Sequence, residues 1–405
     1  QFPYTAAMSP PELFGNDGTQ TGFFEIDAWS QEFRFRSPDD QSVRWEVGTY
    51  YLEWDRFVSL STGVDTGAGI IRIEREPTTD PRNPSTSFLA DDNSNTAMAV
   101  FGQTSVDIGT EFELSLALRY DEEERVQDVS LLQFPAGVPG ARNKETFDML
   151  QPKVTLRYQP SDQHNWYATW GRGFRSGQFN QNGISDVAAS VGLVGINDVV
   201  DQEESESFEV GYKGLYLNDR LRLIGAGFAT KVEGQQFFSF IGAVSAQVLT
   251  NIDEVQLYGG ELELNLRATE NLDLYASVGY TDSEIKEYVV DPTVEGNDAP
   301  YVADTTFNLG GQYEVPLNFA NLNLFARVDY ERRGEQYWDV QNSTARDPLD
   351  FLSLRIGVTD ADDKWSAIWQ VQNALDEEYN SEWVAGGFSA RAPGKIWNIR
   401  LRYNF

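Results

Sequence analysis

Few residues in this chain could do covalent chemistry. The 405-residue sequence holds one histidine, His164, and no cysteine. A thiol nucleophile, a disulfide scaffold, a Cys-ligated metal and a His-pair zinc motif are therefore all excluded. A Ser-His-Asp arrangement would have His164 as its sole base. That residue closes the polar turn Ser161-Asp162-Gln163-His164, where a solvated imidazole is the better reading. Gly171-Arg172-Gly173 contains a Gly-x-Gly, but no helical pattern follows it, so it fails the context a dinucleotide cradle requires. The acidic runs Asp121-Glu122-Glu123-Glu124, Asp201-Gln202-Glu203-Glu204 and Asp376-Glu377-Glu378 carry hard oxygen ligands, yet none has the spacing of a defined calcium loop. They read as solvated acidic surface. No enzyme activity, cofactor or metal is expected.

Binding chemistry is better represented. Four groups of residues stand in long polar links with no evident core to fill: Gln178-Phe179-Asn180; Phe237, Phe238 and Phe240; Tyr337-Trp338; and Trp383 with Gly386, Gly387 and Phe388. Aromatic platforms suit flat or amphipathic small molecules. The same residues could equally pack loop against loop. The charge balance, 31 basic against 63 acidic residues for a net −32, argues against nucleic-acid binding, which needs an excess of Lys and Arg.

The elements that carry these links show one dominant period. From Trp397 to Phe405 the odd positions are Trp, Ile, Leu, Tyr and Phe, and the even ones Asn, Arg, Arg and Asn. This is a strand with one apolar and one strongly polar face. Leu352–Val358, Leu322–Tyr330, Leu272–Tyr280 and Phe112–Tyr120 repeat the pattern, and about fifteen such segments follow one another from near Trp29. Short links rich in Pro, Asn, Asp and Gly (37–42, 108–111, 159–164, 218–220, 268–271, 316–321, 360–364) alternate strictly with long ones (55–95, 121–146, 176–204, 236–252, 284–304, 333–348, 376–393). In an antiparallel meander this puts tight turns at one end and long loops at the other, the asymmetry of outer-membrane barrels. The chain is 13% aromatic. Trp29, Trp45, Trp54, Tyr120, Tyr158, Trp166, Trp170, Tyr280, Tyr330, Trp365, Trp397, Tyr403 and Phe405 fall near strand ends, as girdles at two membrane interfaces would. A mean hydropathy of −0.44 is compatible with this, because a membrane barrel hides its apolar residues at alternate positions. The expected class is all-β, an antiparallel up-and-down transmembrane barrel. A passive porin-like channel and a soluble all-β surface or adhesion protein are the other readings of the pattern.

The C-terminal order is specific. Leu352-Ser353-Leu354-Arg355-Ile356-Gly357, a Trp-containing strand from Trp365 to Gln372, Asn373-Ala374-Leu375-Asp376-Glu377-Glu378-Tyr379, and a last strand ending in Phe405 resemble the C-terminal signature of TonB-dependent outer-membrane receptors. Trp170-Gly171-Arg172-Gly173-Phe174-Arg175-Ser176-Gly177-Gln178-Phe179-Asn180 and Glu206-Ser207-Phe208-Glu209-Val210-Gly211-Tyr212-Lys213-Gly214 resemble stretches common in their barrels.

The resemblance implies uptake of a scarce ligand with TonB-supplied energy, an iron–siderophore first and an oligosaccharide or other nutrient next. Barrels of this family have about 22 strands around a plugged lumen, so about fifteen strands here imply that a plug and roughly seven earlier strands lie outside the chain. Residues 1–28 are then an outer loop segment and 29–405 the C-terminal part of the barrel. Arg172 and Arg175, beside glycines that permit close approach, are expected to face the plug or lumen. The terminal aromatic Phe405 resembles the family's assembly signal, as well as a girdle residue. Implied partners are outer-membrane lipid, the receptor's own plug domain, the TonB energy-transducing complex, the barrel-assembly machinery and a small-molecule ligand. Haem is disfavoured, because the family's haem receptors resemble one another in using outer-loop histidines and His164 is placed on the periplasmic side.

Overall fold

A computed structural model describes residues 2–3, 17–70, 72–130, 141–241, 246–317, 321–362, 364–384 and 389–404. Phe405, Gly386, Gly387 and Phe388 lie outside the described residues. Fifteen long strands form one antiparallel sheet in strict chain order. They are β1 (Asp17–Arg36), β2 (Val43–Asp65), β3 (Ser85–Ile108), β4 (Phe112–Val129), β5 (Arg142–Ser161), β6 (His164–Arg175), β7 (Glu203–Tyr216) and β8 (Leu221–Ile241). The series continues with β9 (Ala246–Arg267), β10 (Leu272–Glu287), β11 (Thr305–Leu317), β12 (Leu322–Arg333), β13 (Leu349–Asp360), β14 (Trp365–Gln372) and β15 (Ile396–Tyr403). Phe2–Pro3 adds a short pairing to the outer end of β1. Each strand bonds its sequence neighbours, so the up-and-down meander is as expected. Among the described pairings β15 bonds β14 alone, leaving the sheet open between its first and last members.

Side-chain parity divides the sheet into two faces. On one stand exposed apolar residues, including Phe33, Val100, Leu118, Val210, Leu262, Val328, Ile399 and Leu401. Val100, on a strand paired on both sides, is 63% exposed, and so many exposed apolar neighbours fit a non-aqueous surround. Aromatic rims flank this band. At the short-turn end Phe112 stacks on Tyr158 with centroids 4.6 Å apart, and Trp166 lies 4.2 Å from Tyr212. At the other end Trp29 lies 5.3 Å from Tyr51. Trp54 is an exception to the girdle expectation: it takes the opposite parity, where the Arg56 guanidinium lies 6.0 Å from its ring.

His164 also departs from the solvated-turn reading. It is the first residue of β6 and stacks on Tyr212, whose hydroxyl lies 2.6 Å from the imidazole Nδ1 and 2.5 Å from the Tyr216 hydroxyl. The histidine belongs to the aromatic rim.

The short links fall where their turn residues predicted. Leu217, Asn218 and Asp219 carry the β7–β8 turn in left-handed backbone, as does Asn321 before β12, a conformation that Asn and Asp tolerate best. The long links are shorter than expected, because the strands run on. β1 begins at Asp17 rather than near Trp29, so residues 17–28 are strand and not loop. The run Asp121–Glu124 lies inside β4, and β8 and β9 pair out to Ile241 and Ala246. A tilted strand needs about 9–11 residues to cross the hydrocarbon, whereas β3 has 24. Beyond the band both faces meet water, so hydropathy stops alternating while the hydrogen-bonded ladder continues.

The two-faced sheet makes a position-specific prediction. Leu118→Arg on the apolar face is expected to cost about 2–4 kcal/mol, and Ala117→Arg on the opposite face far less. The check is the urea midpoint of the heat-modifiable folded band in detergent.

Candidate functional site

The inward face is a wall of paired charges and aromatic rings. Near the short turns Arg44 bridges Asp107 at 2.6 Å and also Glu113, which Arg157 contacts at 3.0 Å. Higher up Arg119 pairs with Asp121 at 2.6 Å, and Gln151 donates to the same carboxylate at 2.7 Å. Across the sheet Tyr167 donates to Glu209 at 2.6 Å beneath Lys213, and Arg327 pairs with Asp329 next to Tyr275. The Tyr167 ring lies over Gly211, where any Cβ would fall 2.3 Å from it, so the glycine is what lets the ring lie flat on the wall. Apolar side chains such as Phe101, under the Arg119 guanidinium, share this face with the paired charges.

Above the band the strand extensions and loops build a second unit with its own small core. Phe237, Ile252, Val255, Ile285, Tyr288, Val294, Ala299 and Val340 bury one another between the β8–β9 hairpin, the loop after β10 and the loop after β12. Tyr301 joins the remaining aromatics. Its ring lies 6.4 Å from Phe237 and 5.3 Å, edge-on, from Trp338, and its hydroxyl donates to the Trp383 carbonyl at 3.4 Å. Three candidate groups separated in sequence thus meet around one residue that hydropathy did not single out. Tyr301 follows Pro300 in left-handed backbone, φ 65°, a turn position with no periodic neighbours to mark it.

The fourth group arrives by hydrogen bonds. Gln178 donates to the Gln236 side chain at 2.9 Å, and Gln236 in turn reaches the Ser176 and Asp201 carbonyls. Asn180 is a staple. Its amide donates to the Asn197 and Leu249 carbonyls and accepts from Leu249 N, all within 2.8 Å. The same link holds the helix α1 (Ile184–Ser190), whose first amides at Gly183 and Ser185 donate to the Asp198 carboxylate.

Burial then sorts the candidates. Asn180, Phe237 and Trp338 are buried, which is the packing alternative for these three. Gln178, Phe179, Phe238, Tyr337 and Trp383 remain half-buried at the surface of the unit. Arg175 carries the inward parity of Tyr167. Arg172 shares the outward parity of Trp166 and Trp170 and pairs with Glu204 at 2.8 Å, which corrects the expectation that it faces the interior. It belongs to an outward collar of ion pairs just beyond the band, with Lys231–Glu254 at 2.9 Å and Arg75–Glu25 at 3.0 Å.

The acidic run 376–378 is tied locally: Arg391 pairs with Glu378 at 2.6 Å, and Asn373 exchanges bonds with the Glu377 backbone. Among the described residues no group of three or more His, Asp or Glu side chains could hold a metal ion. In the outer loops, burial raises the Tyr301 phenol, with Glu382 adding to it. Asp298 is exposed, yet partial loss of water around its carboxyl raises it, and Asp282 and Asp304 repel its charge.

Comparison with known proteins places this architecture. Residues 3–374 match the family described as TonB dependent receptor-like, beta-barrel. The probable TonB-dependent siderophore receptor PiuA of Acinetobacter baumannii is 25% identical over 281 residues, covering 67% of this chain and 34% of PiuA. The crystal structure of the ferric yersiniabactin uptake receptor FyuA from Yersinia pestis superposes with a TM-score of 0.73 at 16% identity, over 97% of this chain and 56% of that one. The crystal structure of the Acinetobacter baumannii siderophore receptor PiuA gives 0.69 at 16%, over 94% and 56%. At these identities the structures show the fold. The chain spans a third to just over half the length of these proteins.

Two outcomes are expected of the loop unit. Asn180→Ala should lose about 1–3 kcal/mol from the unit, read as faster limited proteolysis between residues 181 and 199 with the barrel band unchanged. Asp298 has a raised carboxyl pKa in the folded loop, so its contribution is fully present at low pH and is lost as pH rises through the folded value. Asp298→Asn should therefore protect the loop from proteolysis at pH 7, and the gain over the parent should vanish below about pH 4.

Proposed function

We propose that this chain, which belongs to the TonB-dependent receptor β-barrel family, forms the C-terminal barrel wall and outer loops of an outer-membrane receptor that imports a ferric siderophore with energy relayed through TonB. The carrying observation is the family match over residues 3–374, joined to a relative whose name specifies a siderophore receptor. The geometry is in keeping with it. An apolar band meets lipid, a paired-charge wall faces inward, and an aromatic unit stands over the outer end. On this reading the rest of the receptor supplies a plug and the remaining strands that complete the barrel, and the barrel-assembly machinery inserts the whole.

Ligand contact is assigned to the half-buried surface of the loop unit: Gln178, Phe179, Phe238, Tyr337 and Trp383, with Tyr301 as their support. Asn180, Phe237 and Trp338 hold the unit's shape from beneath, and Arg175 faces the interior. Aromatic faces with interspersed amides suit a chelate that presents both flat rings and polar edges. The net acidic surface favours ferric complexes of low negative charge, over the short range that salt screening allows.

The test is radioactive iron uptake by cells carrying the intact receptor, supplied with a panel of ferric siderophores. Uptake of at least one should disappear on deletion of the receptor and on deletion of TonB. Tyr337→Ala combined with Trp383→Ala should weaken it about tenfold at unchanged receptor abundance. Uptake that persists without TonB would favour a passive channel, and a receptor that rescues no ferric siderophore would leave another nutrient as the cargo.

A further inference from the structure

We infer that Arg346 and Arg333, at the outer mouth of the barrel wall, form a site for a free carboxylate carried by the imported chelate. The loop after β12 turns back on itself as a short ladder, with Gln336 opposite Arg346 and Tyr337 opposite Ala345. Arg346 thus stands one pairing away from Tyr337, beside the surface assigned to ligand contact. Its Nη2 donates to the Gly334 carbonyl at 3.0 Å, while its Nε is buried with no partner among the described residues. Burial disfavours its charge, and the positive charge of Arg333 disfavours it further. A guanidinium does not escape by giving up its proton, because it stays charged at any working pH. A buried donor left without a partner costs more than a made bond returns, so the position calls for an acceptor from elsewhere.

Arg333 ends β12 with the inward parity of Arg327. Its Nε pairs with Glu331 at 2.6 Å, and its guanidinium lies 5.1 Å from the Phe351 ring. Tyr379 meets the same ring edge-on, with centroids 5.3 Å apart. Two guanidinium groups are therefore set against the one carboxylate of Glu331, which leaves one positive charge unmatched.

A single carboxylate is the ligand group that fits. It offers two oxygens to planar donors, it cancels the surplus charge, and its carbon frame can lie against the Phe351 and Tyr379 rings. A phosphate would bring close to two charges to a surplus of one. A neutral hydroxamate chelate would leave the Arg346 Nε as it stands. A chelate with one free carboxylate also keeps the low negative charge that the acidic outer surface tolerates. That the carboxylate arrives on a ferric chelate rests on the import reading; the carboxylate site itself does not.

Saturation-transfer NMR on the intact receptor in detergent tests the site, with benzoate and its neutral isostere benzamide as probes. Benzoate should bind about tenfold more tightly than benzamide. Arg346→Gln should remove that difference while keeping heat-modifiable migration. Glu331→Gln, which frees Arg333, should tighten benzoate about threefold, a gain that a damaged loop cannot produce. Equal binding of the two probes by the parent overturns the site, as does binding of neither, or a preference that survives Arg346→Gln. Benzoate affinity unchanged or lowered in Glu331→Gln overturns the part given to Arg333. In the uptake panel the ferric siderophores that enter should carry a free carboxylate, and Arg346→Gln should slow them about tenfold. Entry confined to chelates without one overturns the assignment to the cargo. No entry by any ferric siderophore, with benzoate still preferred, would instead sink the import reading and support the site.

Discussion

Hydrocarbon offers no partner to a peptide N–H or C=O, so a chain that crosses it as strands must close every backbone bond onto a neighbouring strand. That requirement explains most of what is seen here. It forces a continuous antiparallel ladder from β1 to β15, each strand registered on its sequence neighbours. The ladder imposes a period of two on side chains, and the period sorts residues between a hydrocarbon face and an inward face. Arg44, Arg119 and Arg327 stand on the inward side and Leu118, Val328 and Leu401 on the other for this reason. Charges confined to one face of a sheet must then neutralise each other locally, which the Arg44–Asp107–Glu113–Arg157 chain does.

Where the strands leave the membrane the constraint relaxes but the ladder persists. The extensions of β8, β9 and β10 serve as stiff posts, and the loops pack against them around Ile252, Val255 and Ile285, each fully buried. A loop unit built this way is held by a core of its own. Tyr301 joins Phe237, Trp338 and Trp383, and Asn180 and Asp198 fasten the neighbouring loop to β9 and α1 through side-chain bonds to the backbone. The outward collar of ion pairs, Arg172–Glu204 and Lys231–Glu254 among them, marks the level where hydrocarbon ends.

The barrel wall was legible in the sequence because lipid on one side and polar lining on the other write themselves into alternate residues. The seven short turns were legible because Asn, Asp, Pro and Gly accept the backbone they need. Strand ends beyond the band were not: with water on both faces, Asp17–Ala28 and Asp121–Glu124 keep their ladder but lose the signal. Burial in the loop unit was hidden too, since Phe237 and Trp338 fill a core assembled from three distant links, and Tyr301 carries no pattern at all. Arg172 was misplaced because it was read from its glycine neighbours. Counting by twos from Trp166 would have put it outside.

The two-faced wall is the claim on which the barrel reading, and with it the proposed function, rests. The chain has no cysteine, so single cysteines can be placed one at a time along β3 from Ala97 to Gln103 in the intact receptor and labelled in native membranes. The expected result is strict alternation: Met98, Val100 and Gly102 positions react with a lipid-soluble maleimide and resist a charged, membrane-impermeant one, while the Ala97, Ala99 and Phe101 positions resist the lipid-soluble reagent. Ready labelling of all positions by the charged reagent, with no period of two, would contradict the account and return the chain to a water-surrounded sheet.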